Sequence, residues 1–414
     1  MPEQNQKNFP SFREFIDSVA SSKHADYLGR PTVKVADGQS FEEMKNHILK
    51  MAEGVDVTHS FADENGQIFD CVPVEQQASL SQTGKKAVLP SDLPTTKTSA
   101  ATKGQTISSS RLRSCKSDKF GNLMQCPDGT IPVRRVTMEE LSRFGSLHDF
   151  FRKPPVGKGR HPRLSPPELA SGVHKYAHAF QAVNNQGGHS FVNIWDPAVG
   201  SQVFSLAQQW YAGGSPVQTV ECGWQVFPQK YQTIKPVLFV YWTADNYGQT
   251  GCYNLECSAF VQTSSSWALG SELDTLSTTG GQQFELEIAW HLVDGNWWLY
   301  LNGTSSSNAV GYYPTSLFGA GQMSQCATDV DYGGEAVNQT VWPPMGSGAF
   351  ANLGYQNAAY QRNIFFFDTG GNAQQATLTP SQPSPNCYTI DVESGPDPWD
   401  AYFFFGGPGG NSCS

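Results

Sequence analysis

Basic residues almost vanish from this chain after residue 168. Residues 169–414 hold 4 Lys+Arg against 17 Asp+Glu, a net of -13, whereas residues 1–168 hold 23 against 20, a net of +3. A chain of formal net charge -10 lacks the basic surface that nucleic acid requires, so nucleic acid is excluded as the main partner. Long apolar runs are missing too. None approaches the roughly 20 residues of a membrane helix, so no membrane partner is expected. No Cys-x-x-Cys pair occurs, which argues against a zinc ribbon. There is no Gly-x-Ser-x-Gly elbow and no His-Glu-x-x-His helix. Asp368-Thr369-Gly370 imitates one half of an aspartic-protease pair, but the second triplet is absent, so it reads as a turn. His174, His178 and His189 lie near one another in sequence and read as structural, so neither metal nor cofactor is expected. The first twenty residues contain no apolar h-region of a secretion leader.

What is present is core material and cysteine. With 414 residues, 38% hydrophobic and 12% aromatic, the chain can build two domains, or one large β domain with an extension. Cys252 and Cys257 bracket a short turn, and Cys387 and Cys413 bracket the C-terminal segment. In an oxidising compartment these spacings read as disulfides. Cys115 and Cys126 are read as closing a short loop. Nine cysteines leave at least one unpaired, and Cys71, isolated in sequence, is the first candidate.

The chain changes texture near residue 150. Before it lie three helix signals: Ser11–Glu14, Ser40–Glu43 and Thr137–Glu140, each a capping box ahead of apolar residues at helical spacing. Residues 55–60 and 66–74 alternate like a small hairpin. Residues 80–114, rich in Ser, Thr, Lys and Gly, read as a linker. Residues 151–167 are Pro-rich and basic, an extended connector. Beyond it about ten short alternating runs follow, with turns such as Asp294-Gly295 and Asn302-Gly303 and no interleaved helices. That pattern predicts a two-sheet antiparallel β-sandwich preceded by a smaller α+β part. The boundaries are 1–150 for the first domain, 151–170 for the connector and 171–414 for the sandwich.

One stretch organises the sandwich. In Gln218–Phe227 the residues Val220, Cys222, Trp224 and Val226 fall on one face of a strand, and Glu221, Gly223, Gln225 and Phe227 on the other. A lone strand glutamate usually faces solvent. A second one, Glu335, follows a Gly pair in Asp331–Asn338, where a backbone bends or approaches a neighbour closely.

The segments ECGWQV, YWTADNYGQTGCYNLEC, DYGGEAVN, MGSGAFANLGYQNAAYQRNI and FFFGGPGGNSC, in that order, resemble the neprosin family of secreted peptidases. FEEMKNHILKMAEGVDVTHSF, GQIFDCVPVEQQ and CPDGTIPVRRVTMEEL resemble that family's activation segment. The resemblance implies a concanavalin-like sandwich with the active site on a concave sheet face. It implies two catalytic glutamates, which fall on Glu221 and Glu335, and cleavage after proline. It also implies a secreted monomer whose leader has been trimmed, acting on peptide or protein substrates and inhibited by its own N-terminal pro-segment. Paired carboxylates suit this chemistry, because one ionises and the other stays protonated, giving a base and an acid at one pH. A proline slot needs aromatic walls. Trp224, Tyr241 and Trp298, with Trp242 and Trp297, are available, and Gln225 shares the face of Glu221. Cys326 is a candidate disulfide partner for Cys222. The opposite charges of the two parts, with Arg152, Lys153, Lys158, Arg160 and Arg163 in the connector, suggest a segment held at neutral pH and released by acid. The alternatives are a glycosidase on the same kind of sandwich and a non-catalytic carbohydrate-binding module. The second predicts Glu221 and Glu335 far apart or on opposite sheets.

Overall fold

The computed structural model describes residues 9–90, 116–153 and 173–413. Helix α1 (Phe12–Ser21) opens with the predicted box: Glu14 N–H donates to Ser11 Oγ, and the Glu14 carboxylate takes the Ser11 N–H. Helix α2 (Gly38–Met51) begins earlier than expected. Asp37 rather than Ser40 is its N-cap, accepting from the Ser40 N–H at 2.8 Å, and Phe41, Met44 and Ile48 line its buried face. After α3 (Ala78–Ser81), the third signal yields two short helices, α4 (Met138–Leu141) and α5 (Leu147–Phe151). Ser146 caps α5 by accepting the Asp149 N–H, so no single helix runs through. The hairpin forms as β1 (His59–Ala62) and β2 (Ile68–Pro73), with β3 (Thr130–Arg134) added on the far side of β2. Most of the linker and of the connector, residues 91–115 and 154–172, lies outside the described residues.

The remaining strands build the sandwich. A seven-stranded antiparallel sheet contains β4 (His174–Asn185), β6 (Phe204–Gly213), β7 (Gln218–Val226), β8 (Val237–Thr243), β9 (Cys252–Tyr253), β14 (Ala327–Val337) and β17 (Thr379–Ser381). Their order is β17-β4-β14-β6-β7-β8-β9. The second sheet, of nine strands, holds β5 (Gly187–Asn193), β10 (Val261–Gln262), β11 (Glu285–Val293), β12 (Asn296–Leu301) and β13 (Ala309–Pro314). It is completed by β15 (Ala359–Phe367), β16 (Ala373–Gln375), β18 (Thr389–Ser394) and β19 (Ala401–Gly406). Each inner face is apolar, and the two meet in one core that includes Trp224, Leu238 and Val240 from one sheet and Ile288, Trp290, Leu299 and Phe403 from the other. The antiparallel sandwich with a small α+β part ahead of it is therefore the observed fold. No helix among the described residues is long and apolar enough to cross a membrane.

The N-terminal part wraps both sheets. Phe41, Met44, Ile48, Leu141, Phe144 and Phe150 join one apolar cluster with Leu206, Phe239, Tyr241 and Tyr253 on the outer face of the seven-stranded sheet. Leu80 and Val74 reach the outer face of the nine-stranded sheet, beside Trp298, Tyr300 and Tyr312. A buried ion-pair network has one bond across the contact, Arg134 to Glu256. Arg134 bridges Glu140 at 2.5 Å and Glu256 at 3.1 Å, and Lys230 meets Glu256 at 2.6 Å. Burial lowers the Lys230 ammonium to about 8, against the pull of Glu256. The contact between the two parts thus combines apolar clusters with a desolvated cross-pair, Arg134 with Glu256.

Disulfides join Cys252 to Cys257 and Cys387 to Cys413, as the spacing suggests. Two readings are corrected. Cys71 is not free but bridges Cys126, 55 residues away, because β2 carries it into a small cluster where Cys126 lies; Cys126 therefore does not pair with Cys115. Cys222 and Cys326 are not bonded to each other. Across β6, Cys222 is level with Gln209, and Gln209 is level with Tyr332, six residues along β14 from Cys326. Six strand residues span roughly 20 Å, far beyond the reach of a disulfide.

Candidate active site

Alternation along β7 turns Val220, Cys222, Trp224 and Val226 into the inter-sheet core and Glu221, Gly223 and Gln225 outward. Glu221 stands level with Tyr241 on β8 and with Trp210 on β6. Glu335, on β14, stands level with Leu206 on β6 and Tyr176 on β4. Strand β6 lies between them and carries Gln208, which is level with Gly223 on one side and Gly333 on the other. Those glycines are required. A Cβ on Gly223 would lie 2.6 Å from the Gln208 Cα, and one on Gly333 2.5 Å from the Ala177 carbonyl oxygen. The row through Gln208 is therefore bare on both sides, and the two glutamates lean toward it.

Both carboxyl groups are buried, and one ammonium joins them. Lys153 Nζ lies 2.5 Å from Glu221 Oε2, 3.4 Å from Glu335 Oε2 and 3.1 Å from Gln208 Oε1. The two Oε2 atoms are thus no more than 5.9 Å apart, the sum of the two ion-pair distances. Lys153 itself is 4% exposed. Each Oε1 atom is held by other partners. Glu221 Oε1 accepts from the Thr219 hydroxyl at 2.8 Å and the Tyr247 hydroxyl at 2.9 Å. Glu335 Oε1 accepts from the Tyr176 hydroxyl at 3.2 Å and lies 2.5 Å from His174 Nδ1.

Burial alone would favour the uncharged form of each group. For Lys153 it is outweighed by Glu221 and Glu335, which hold the ammonium above the ordinary lysine value. Burial likewise favours the acid form of Glu335, but Lys153 and then His174 hold its carboxyl down to about 2. Tyr176 and Tyr247 are pushed well above the usual phenol value, by burial first and by Glu335 and Glu221 next, so both remain hydroxyl donors. A further buried pair on the same sheet, His178 and Asp331, meets at 2.6 Å on β4 and β14.

The structure sorts the other expected site residues. Tyr241 lies on the outer face with its ring 5.5 Å from Lys153 Nζ, in the apolar strip with Phe239 and Tyr253. Gln225 is on that face too, its amide 3.3 Å from the Tyr253 hydroxyl. Trp224 is not there. It faces the inter-sheet core and donates to the Asn193 carbonyl, because strand period two sends it opposite to Glu221. Trp224→Ala is therefore expected to cost about 3–5 kcal/mol of stability while leaving the groups around Glu221 in place, a loss that thermal unfolding would register. Trp298 belongs to the other sheet, on its outer face under Leu80, away from both glutamates. Trp297 is likewise in the core. Sequence reasoning missed Gln208, Tyr247, Tyr176 and the place of Lys153. Of these only Tyr247 lay within a quoted motif. Asp368 sits in an exposed turn, accepting from Gly370 and Asn372 N–H groups, as its reading anticipated. Among the described residues no group of three His, Cys, Asp or Glu is spaced to hold a metal ion.

One ammonium stands between two carboxyl groups no more than 5.9 Å apart. Without the ammonium they cannot both ionise cheaply, and one proton is shared between them.

A family model described as neprosin matches residues 201–408, and one described as neprosin activation peptide matches residues 60–180. Two crystal structures of scytalido-glutamic peptidase align over 56% of this chain and 97% of theirs. One is bound to a transition-state-analogue inhibitor, at 9% identity and a TM-score of 0.32; the other is bound to a peptide-based analogue, at 11% and 0.31. SCP-B, a member of the Eqolisin family in complex with the tripeptide Ala-Ile-His, aligns over the same shares at 9% identity and a TM-score of 0.28.

Proposed function

This chain belongs to the neprosin family and is a peptidase that carries its own activation peptide, and we propose that it is a secreted glutamic endopeptidase zymogen that cuts after proline, with Glu221 and Glu335 as its catalytic pair. The observation that carries this reading is the single ammonium of Lys153, contributed by the N-terminal part and bonded to both glutamates. A structural glutamate has no need of a partner from a removable segment. That both glutamates share one face of one sheet speaks against the binding-module alternative.

With Lys153 withdrawn, the pair shares one proton. The ionised carboxylate takes a proton from water as its oxygen attacks the peptide carbonyl carbon. The protonated carboxyl gives its proton to the leaving nitrogen as the C–N bond breaks. Gln208, whose Oε1 is now turned to Lys153, brings its amide N–H groups to the same row and can donate to the carbonyl oxygen as charge develops there. The strip of Phe239, Tyr241, Tyr253 and Leu206, now covered by the N-terminal part, supplies apolar walls beside Glu221 for a proline ring. The three disulfides among the described residues suit an oxidising, extracellular setting.

The release is driven by acid. Glu335 is held at about 2 in the closed form, below the ordinary carboxyl value of 4.5. A lowered carboxylate stabilises closure fully above its free value and loses that contribution as pH falls from about 4.5 toward about 2. Lys153 keeps its charge throughout, so the attraction fails from the carboxylate side.

The test is to incubate the purified chain at pH 3 and at pH 7 and follow its size, then its cleavage of proline-containing peptides. Wild type is expected to shorten in acid only, to a fragment beginning between Val156 and Leu169, and Glu221→Gln to stay full length. Equal processing of the inactive variant without another protease would sink the account, as would full activity of the intact chain at neutral pH. Hydrolysis of oligosaccharides in place of peptides would favour the glycosidase alternative.

A further inference from the structure

The loop between β8 and β9 bends back over Glu221 and does so under strain. Asn246 and Tyr247 have φ of 62° and 59°. Asparagine tolerates the left-handed region, but a bulky aromatic there is an outlier that surrounding structure must enforce. Asp245 is the latch. Its carboxylate accepts the Gly248 N–H at 3.1 Å, the Gln249 N–H at 2.7 Å and the Thr250 hydroxyl at 2.6 Å. Thr243 Oγ1 accepts the Tyr247 N–H at 3.0 Å, and the Asn246 N–H donates to the Val217 carbonyl at 2.8 Å. The enforced backbone lays the Tyr247 ring parallel to Tyr241, 6.1 Å away, and brings its hydroxyl 2.9 Å from Glu221 Oε1.

We propose that Tyr247 is a positioning residue for Glu221, aimed by this strained loop and held there by Asp245. The proposal rests on the reading of Glu221 as catalytic. A free carboxylate swings and presents either oxygen. With the Thr219 and Tyr247 hydroxyls both on Oε1, Glu221 presents Oε2 alone, the atom that faces Lys153 and Glu335. The charged and titratable groups around it are Lys153 from the N-terminal part, Glu335 from β14 with its neighbour His174, Tyr176 from β4, and Tyr241 from β8. Asp245 is turned into its own loop. The N-terminal part also touches the loop, His148 Nε2 lying 2.8 Å from the Gly248 carbonyl oxygen.

The experiment compares acid-activated wild type with Tyr247→Phe, which removes one oxygen and keeps the ring stack. A fall of kcat by about 10- to 100-fold with KM within twofold is expected. The acid limb of kcat/KM should rise by at least half a pH unit, since the carboxyl pair as a whole has lost one hydrogen-bond donor. Asp245→Asn, which keeps the hydroxyl but loosens the latch, is expected to move both quantities the same way by less. A wild-type profile for Tyr247→Phe overturns the proposal. So does a loss of activity that tracks a lower melting temperature with the acid limb unmoved, since that is a structural role. A wild-type profile for Asp245→Asn overturns the latch. If Glu221→Gln is inactive and Tyr247→Phe is not, this inference alone fails; if Glu221→Gln turns over normally, the reading beneath it fails.

Discussion

Glu221→Gln and Glu335→Gln are each expected to lower kcat by at least about 10³-fold, within the range that a positioned acid or base supplies, with the folded sandwich intact. Glutamine keeps the volume and one oxygen and loses only the titrating group. Self-processing would fail in these variants, so the connector must be opened by another route. Trypsin offers one, since Lys158, Arg160 and Arg163 are its cleavage sites there. The two states of the protein should respond differently. In the intact chain either change leaves the buried Lys153 with one carboxylate in place of two, and removing one member of a buried pair is costly, about 3–5 kcal/mol. The variants should therefore close less tightly before cleavage and melt like wild type after it. Turnover by either cleaved variant within tenfold of wild type would end the assignment of the pair.

Lys153→Met should raise the pH at which self-processing begins by at least one unit. The sign follows from Glu335, whose carboxyl is held at about 2 against an ordinary value of 4.5, by Lys153 first and then by His174. Only the part of that lowering supplied by Lys153 favours closure at neutral pH, since His174 lies on β4 and stays with the sandwich. Methionine fills the stem of the lysine but carries no charge, so two carboxylates no more than 5.9 Å apart would have nothing between them. One of them would take up a proton at a higher pH than in wild type, and the form able to cut would be reached earlier in an acid titration. Lys153→Arg keeps the charge and should stay latent. Processing rates measured from pH 7 to pH 3 decide the matter. An unchanged midpoint in Lys153→Met would move the lock to the buried pair of Arg134 with Glu256 across the same contact.

The fold class and the facing of Glu221 were legible because both are local. A strand alternates with period two, so QTVECGWQV alone states that Glu221 and Trp224 point apart. That same rule removes Trp224 from the substrate slot, where its aromatic character had suggested it belonged. The capping box at Ser11 and the Cys252–Cys257 turn are equally short-ranged. Strand β6 escaped notice because Phe204–Gly213 is buried along its whole length and shows no alternation, and Gln208 was hidden with it. Lys153 was named only as one basic residue of five in a connector that looked exposed. Its place is fixed by partners 68 and 182 residues away, Glu221 and Glu335. The bridge from Cys71 to Cys126 and the burial of Trp298 under Leu80 are of the same kind. The period of a strand and the cap of a helix are settled between neighbours in the chain, whatever the rest of the molecule does. Which ammonium reaches a buried carboxylate is settled by how two separately folded surfaces pack, where burying an unpaired charge costs more than any local preference returns.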